Sequence, residues 1–152
     1  MAISTAFRGK VIIKDQYKEL VELINNNEWE KAEVKFPFVQ EYTKVNENKK
    51  IPFSKNEIEN ALEEDGFLYL YFHSGTWDED HEYFTNLDGN VWSFIADVKD
   101  YLDPEHNIAP ISSFIQIILS EVAIKIIKLE KWYPEYDLPI DLKIDENAKL
   151  LN

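Results

Sequence analysis

The segment EYFTNLDGNVWSFIAD (82–97) constrains the fold more than any other stretch of the chain. Asp88-Gly89 stands between two runs rich in aromatic and β-branched residues. An Asp-Gly pair in that setting signals a two-residue hairpin, because a type I′ turn needs positive φ at both central positions. FLYLYF (67–72) precedes it, aromatic at alternate positions and apolar on both faces. Residues 67–72, 82–87 and 90–96 are therefore expected to form three consecutive antiparallel strands, the first of them central in its sheet. HSGTWDEDHEYF (73–84) then contains the link between the first two.

The flanking sequence supplies the other elements. KVIIKD (10–15) predicts a short strand, with three β-branched residues in a row. In DQYKELVELINNNEW, apolar Tyr17, Leu20, Val21, Leu23 and Ile24 recur at helical spacing. Asn25, Asn26 and Asn27 compete for backbone hydrogen bonds and should end that helix, with Trp29 packed behind the end. Val34, Phe36 and Phe38 alternate, which predicts a strand over 32–42, kept to an edge or bulged by Pro37. TKVNENKKIP (43–52) reads as a polar, basic loop. Ser54 and Glu57 form a capping box ahead of Ile58, Ala61 and Leu62, and Gly66 fits just past the helix end. Glu63, Glu64 and Asp65 then sit at the negative end of the helix dipole, which mildly disfavours them. Residues 111–133 place Ile111, Phe114, Ile115, Ile118, Val122, Ile126, Leu129 and Trp132 three or four apart, which predicts one long helix ended by Pro134. The resulting class is α+β: a mostly antiparallel sheet, with a meander at 67–96, packed against two or three helices including a long buried C-terminal one. The 152 residues fit a single domain, with 134–152 as a partly extended tail.

Composition excludes several chemistries. The chain has no cysteine, so thiol nucleophiles, disulfides and Cys-based zinc sites are ruled out, and a reducing cytoplasm is the expected location. MAISTAFRGK has no apolar run behind a basic start and is not expected to be a signal peptide. No stretch is apolar enough for a membrane span, since Ser, Gln, Glu and Lys interrupt 111–129. His73 and His81 are eight residues apart, which fits no helical zinc motif. Taking Gly89 as the glycine of a calcium loop puts Phe84 at its first ligand position, so that pattern fails too. No metal or other cofactor is expected. There is no Gly-x-Ser-x-Gly, Ser74 has no marked activator, and the four glycines are isolated. The clustered acids lack the contrast of apolar and polar surroundings that separates a general acid from a base. The chain is therefore not expected to be an enzyme.

Charge is the positive signal. The net charge is −13. Residues 1–50 carry nine basic and eight acidic side chains, and residues 106–152 carry five and seven. Residues 51–105 carry two lysines against fourteen acids, which accounts for −12. Such a field repels nucleic acid and anionic lipid and speeds encounter with a basic partner. It also serves solubility. Trp77, in a loop among these acids, has the character of an interface anchor, with the alternative that it folds back over the sheet edge. The expected partner contacts are Asp78, Glu79, Asp80 and Glu82 around Trp77, with Glu63, Glu64, Asp97 and Asp100 nearby.

A small, acidic, cysteine-free α+β domain resembles the immunity proteins that bacteria keep beside secreted nuclease or other polymorphic toxins. The resemblance is one of general character over the whole chain, and no family site residue carries over. It implies a cytoplasmic inhibitor whose acidic surface meets a basic toxin cleft. Two alternatives stand beside it: a DNA mimic or regulator that blocks a nucleic-acid-binding site, and a small enzyme with a polar pocket near His73 and His81. Oligomeric state is open.

Overall fold

The structure, a computed structural model, describes residues 5–47, 50–52, 54–55, 57, 85–98, 108–132 and 140–142. The class is α+β; among the described residues a five-stranded, open antiparallel sheet packs with four helices of a full turn or more. The elements are β1 (Thr5–Ile13), α1 (Lys18–Asn25), α2 (Trp29–Lys35), α3 (Val39–Val45), β2 (Asn86–Asp88), β3 (Val91–Val98), α4 (110–122), β4 (Ala123–Trp132) and β5 (Ile140–Asp141). The sheet order is β2-β3-β1-β4-β5, with β1 at the centre. The strand expected at 67–72 lies outside the described residues, as do 58–84 and most of the tail.

Several local signals hold. Helix α1 ends at Asn25, and Asn27 takes a left-handed φ of 59°. The Glu28 N–H donates to Leu23 O at 2.8 Å and the Asn27 N–H to Ile24 O at 3.0 Å, the paired bonds of a Schellman end. Trp29 is buried, its ring 5.3 Å from that of Tyr42. The hairpin forms one residue later than expected. Asp88 pairs with Val91, so Gly89 and Asn90 are the central residues. Gly89 has φ 60° and Asn90 is not left-handed, which is the type II′ pattern of glycine first. The Asn90 side chain donates to Ile13 O at 2.9 Å and to Asp15 Oδ1 at 2.7 Å, fixing the turn to the end of β1.

Three expectations are corrected. The first is the long C-terminal helix. Helix α4 stops at Val122, and Ala123 is already extended, at φ −86° and ψ 138°. The chain from Ala123 to Trp132 is a strand. The turn after β1 ends α4 from outside: the Lys14 N–H donates to Val122 O at 3.0 Å, and Lys14 Nζ donates to Glu121 O at 2.8 Å. These donors satisfy terminal carbonyls that the helix leaves unpaired, and the ammonium complements its negative end. Tyr17 Oη donates to Glu121 Oε1 at 2.7 Å, and burial first, then this bond, raises the phenol's pKa.

The second correction concerns 32–42, which is helical. Pro37 divides α2 from α3, and Phe36 before it has left the helical region, at φ −132° and ψ 83°. The buried residues are Trp29 and Ala32, then Val39, Tyr42 and Thr43, at helical spacing, while Val34 is 80% exposed. Phe36 and Phe38 flank Tyr17, with ring centroids 5.9 and 5.6 Å away. The third correction is the reach of β1. It begins at Thr5, ahead of the predicted start, and carries Arg8 into the centre of the sheet.

The helices cover one face of the sheet. Phe7 and Val11 of β1, Trp92 and Phe94 of β3, and Leu129 of β4 are buried with Phe114, Ile115 and Ile118 of α4. Phe114 lies between four aromatic rings: Phe7, Tyr42, Trp92 and Phe94, with centroids 6.0, 6.1, 5.8 and 5.4 Å away. Residues Phe114–Leu119 adopt the wider π-helical turn. On the other face, Arg8, Ser93, Ile95 and Glu130 are also buried. Arg8 Nε donates to Glu130 Oε1 at 3.1 Å across the β1–β4 ladder.

Gly9 lies where these packed rows cross. A Cβ there would stand 2.6 Å from Phe94 Cζ and 2.8 Å from Leu129 Cδ1. Replacement by Val should destabilise the domain by roughly 1–3 kcal/mol through overpacking. A lowered urea midpoint at unchanged slope is the expected reading. An unchanged midpoint would contradict the close packing.

Candidate functional site

The acidic stretch 52–84, within 51–105, is flanked on both sides by buried structure. Before it, Tyr42 of α3 is fully buried, its hydroxyl accepting from the Ile51 N–H at 2.9 Å and donating to Ile51 O at 3.1 Å. Burial raises the Tyr42 pKa far above its usual value, so the phenol stays protonated and keeps both bonds. Two residues beyond Pro52, the capping box closes as the sequence predicts. The Ser54 N–H donates to Glu57 Oε1 at 3.1 Å, and the Glu57 N–H donates to Ser54 Oγ at 3.2 Å. After the segment, Thr85 is buried and Leu87 pairs with Trp92 of β3. Trp92 is held in turn by its indole N–H, which donates to Asn25 Oδ1 at 3.0 Å. The Asn run thus does more than end α1: one of its members fixes the strand beside the acidic segment.

Trp77, Asp78, Glu79, Asp80, Glu82, Glu63, Glu64 and Asp100 lie outside the described residues, together with His73 and His81. Asp97 is placed by its backbone in β3, opposite Ala6 of β1. Of the fourteen acids in 51–105, Glu57 and Asp88 have described side chains. Glu57 serves the capping box, and Asp88 stands at the hairpin turn.

Sequence reasoning missed a shallow groove of about 650 Å³ beside the N-terminal end of α2. Trp29 contributes to its wall, with Glu28, Glu30, Lys31, Lys50 and Glu57. A second hollow of about 540 Å³ shares Trp29, Glu30 and Lys50 with it. Lys31 Nζ and Glu28 Oε1 are paired at 3.2 Å on its rim. The described lining is mostly charged and solvated, and is suited to salt-sensitive contacts with a protein surface rather than to holding a small apolar ligand. No pattern of residue types announces such a groove; it arises where α2 and α3 meet the chain entering the capping box.

Among the described residues, no group of three or more His, Cys, Asp or Glu is placed to hold a metal ion. No described helix is long and apolar enough to cross a membrane. No family model, curated protein or solved structure matches the chain.

Proposed function

We propose that this chain is a non-catalytic, cytoplasmic binding protein that neutralises a basic protein partner, in the manner of a toxin immunity protein. The observation that carries this reading is the concentration of fourteen acids against two lysines in 51–105. The buried anchors support it. Tyr42 with Ile51 fixes the chain before residues 52–84, and Asn25 holds Trp92, whose strand pairs with Leu87 after them. An anchored acidic segment steers a basic partner to one place, where a few buried contacts can then hold it. Trp77 is the proposed anchor, surrounded by Asp78, Glu79, Asp80 and Glu82, with Glu63, Glu64, Asp97 and Asp100 as the outer contacts.

Binding to the proteins encoded by neighbouring genes tests the proposal, at low and high salt. A basic partner should be retained, with association slowed by salt. Asp78→Asn with Asp80→Asn should slow association further, and His73→Ala with His81→Ala should not. The reverse pattern would favour the enzyme alternative. Competition by DNA for the partner's bound site would favour the DNA-mimic alternative.

A further inference from the structure

The outer side of β4 is a second surface, remote in character from the acidic segment. Among the described residues, no strand pairs with the outer side of residues 123–127. β1 occupies the inner side of β4, and β5 pairs only with Glu130 and Lys131, followed by one bond from the Leu142 N–H to Leu129 O at 2.8 Å. The β1–β4 register shifts twice. Lys10 pairs with Lys128 but Val11 with Ile126, and Ile12 pairs with Lys125 but Ile13 with Ala123. Ile127 and Ile124 are therefore the extra residues of two bulges. Bulges re-aim side chains, and here Ile124 is 66% exposed and Ile127 49%. Lys125 between them is exposed as well.

We propose that this edge receives an extended strand from a partner protein, with apolar residues alternating with acids. An open edge offers N–H and C=O groups that only another extended backbone can satisfy in register. Ile124 and Ile127 supply the apolar surface that such a strand would cover. Lys125 selects the charge. Edge lysines and bulges discourage a sheet from pairing with its own copies, since edge-to-edge contact of two copies brings their lysines together. An acid-bearing strand turns the same lysine into an attractive cross-strand partner. This surface is independent of the function proposed above.

The test uses the full-length, isotopically labelled protein and the peptide acetyl-Glu-Ile-Glu-Val-Glu-Ile-Glu-amide. Adding the peptide should shift the backbone amides of residues 123–127 and slow their hydrogen exchange. Ile127→Lys, at an exposed position, should abolish the response while leaving the remaining amide spectrum in place. Lys125→Glu should weaken binding about threefold, the scale of an exposed charge pair. Unmoved amides would overturn the proposal. So would equal binding of the all-lysine analogue, acetyl-Lys-Ile-Lys-Val-Lys-Ile-Lys-amide. Amides already protected in the free chain would overturn it too: concentration dependence would assign the edge to a second copy, and its absence to the chain's own residues.

Discussion

Phe114→Ala should lower the stability of the domain by about 3–5 kcal/mol, the usual cost of deleting a large aromatic side chain from a packed core. Phe114 is fully buried and its ring meets those of Phe7, Tyr42, Trp92 and Phe94. It therefore ties α4 to both central strands and to the helix that holds the approach to the acidic segment. Surrounding rings cannot all collapse into the space, so a cavity term adds to the lost transfer energy. For a domain of this size the melting temperature should fall by roughly 6–20 °C. Leu at the same position refills part of the volume and should cost less. A loss near zero for the Ala variant would show that α4 does not seat on the sheet as described.

Glu130→Ala should be comparably damaging, at about 3–5 kcal/mol, because it breaks a buried ion pair by removing one of its two members. Arg8 and Glu130 side chains are 4% and 6% exposed, and their atoms meet at 3.1 Å. Lys128 Nζ stands 3.7 Å from the same carboxylate oxygen, at the more exposed side of the pair. A charge carried inward on a central strand is costly to desolvate, and the Glu130 carboxylate offsets that cost at the Arg8 guanidinium. Arg8→Met combined with Glu130→Leu removes both charges and should recover most of the loss. Thermal or urea unfolding of the single and double variants forms the cycle. Additive losses would mean that the two side chains do not act as a pair.

These two sites also mark where the sequence is hard to read. Arg8 in TAFRGKVII interrupts a strand pattern, and nothing local identifies Glu130, 122 residues on, as its partner. The β4 segment AIKIIKLEKW is harder still. Its two bulges stretch the strand's period, so Lys125, Lys128 and Lys131 fall three apart, as do Ile126 and Leu129. That spacing imitates a helix, and no Gly or Pro between Pro110 and Pro134 marks the break. The break is made by tertiary contacts of Lys14 with Glu121 and Val122. Likewise Val34, Phe36 and Phe38 alternate by coincidence: two of them pack on Tyr17 and the third faces solvent.

Features set by short-range chemistry are legible. The Ser54–Glu57 box, the Asn25–Asn27 helix end and the Gly89 turn each depend on a few adjacent residues, and each forms at or within a residue of its expected place. The acidic segment is legible as charge, because counting needs no geometry. The anchors around it are not, since Tyr42 with Ile51 and Asn25 with Trp92 join residues through the tertiary fold.

Neutralisation of a toxic partner in living cells tests the functional account most directly. The measurement is growth of cells expressing a toxic product of a neighbouring gene, with and without this chain. The account predicts that the wild-type chain restores growth, and that Asp78→Asn, Glu79→Gln, Asp80→Asn and Glu82→Gln together remove the protection while leaving the chain folded. Full protection by that variant, or protection lost only on replacing His73 and His81, would contradict it.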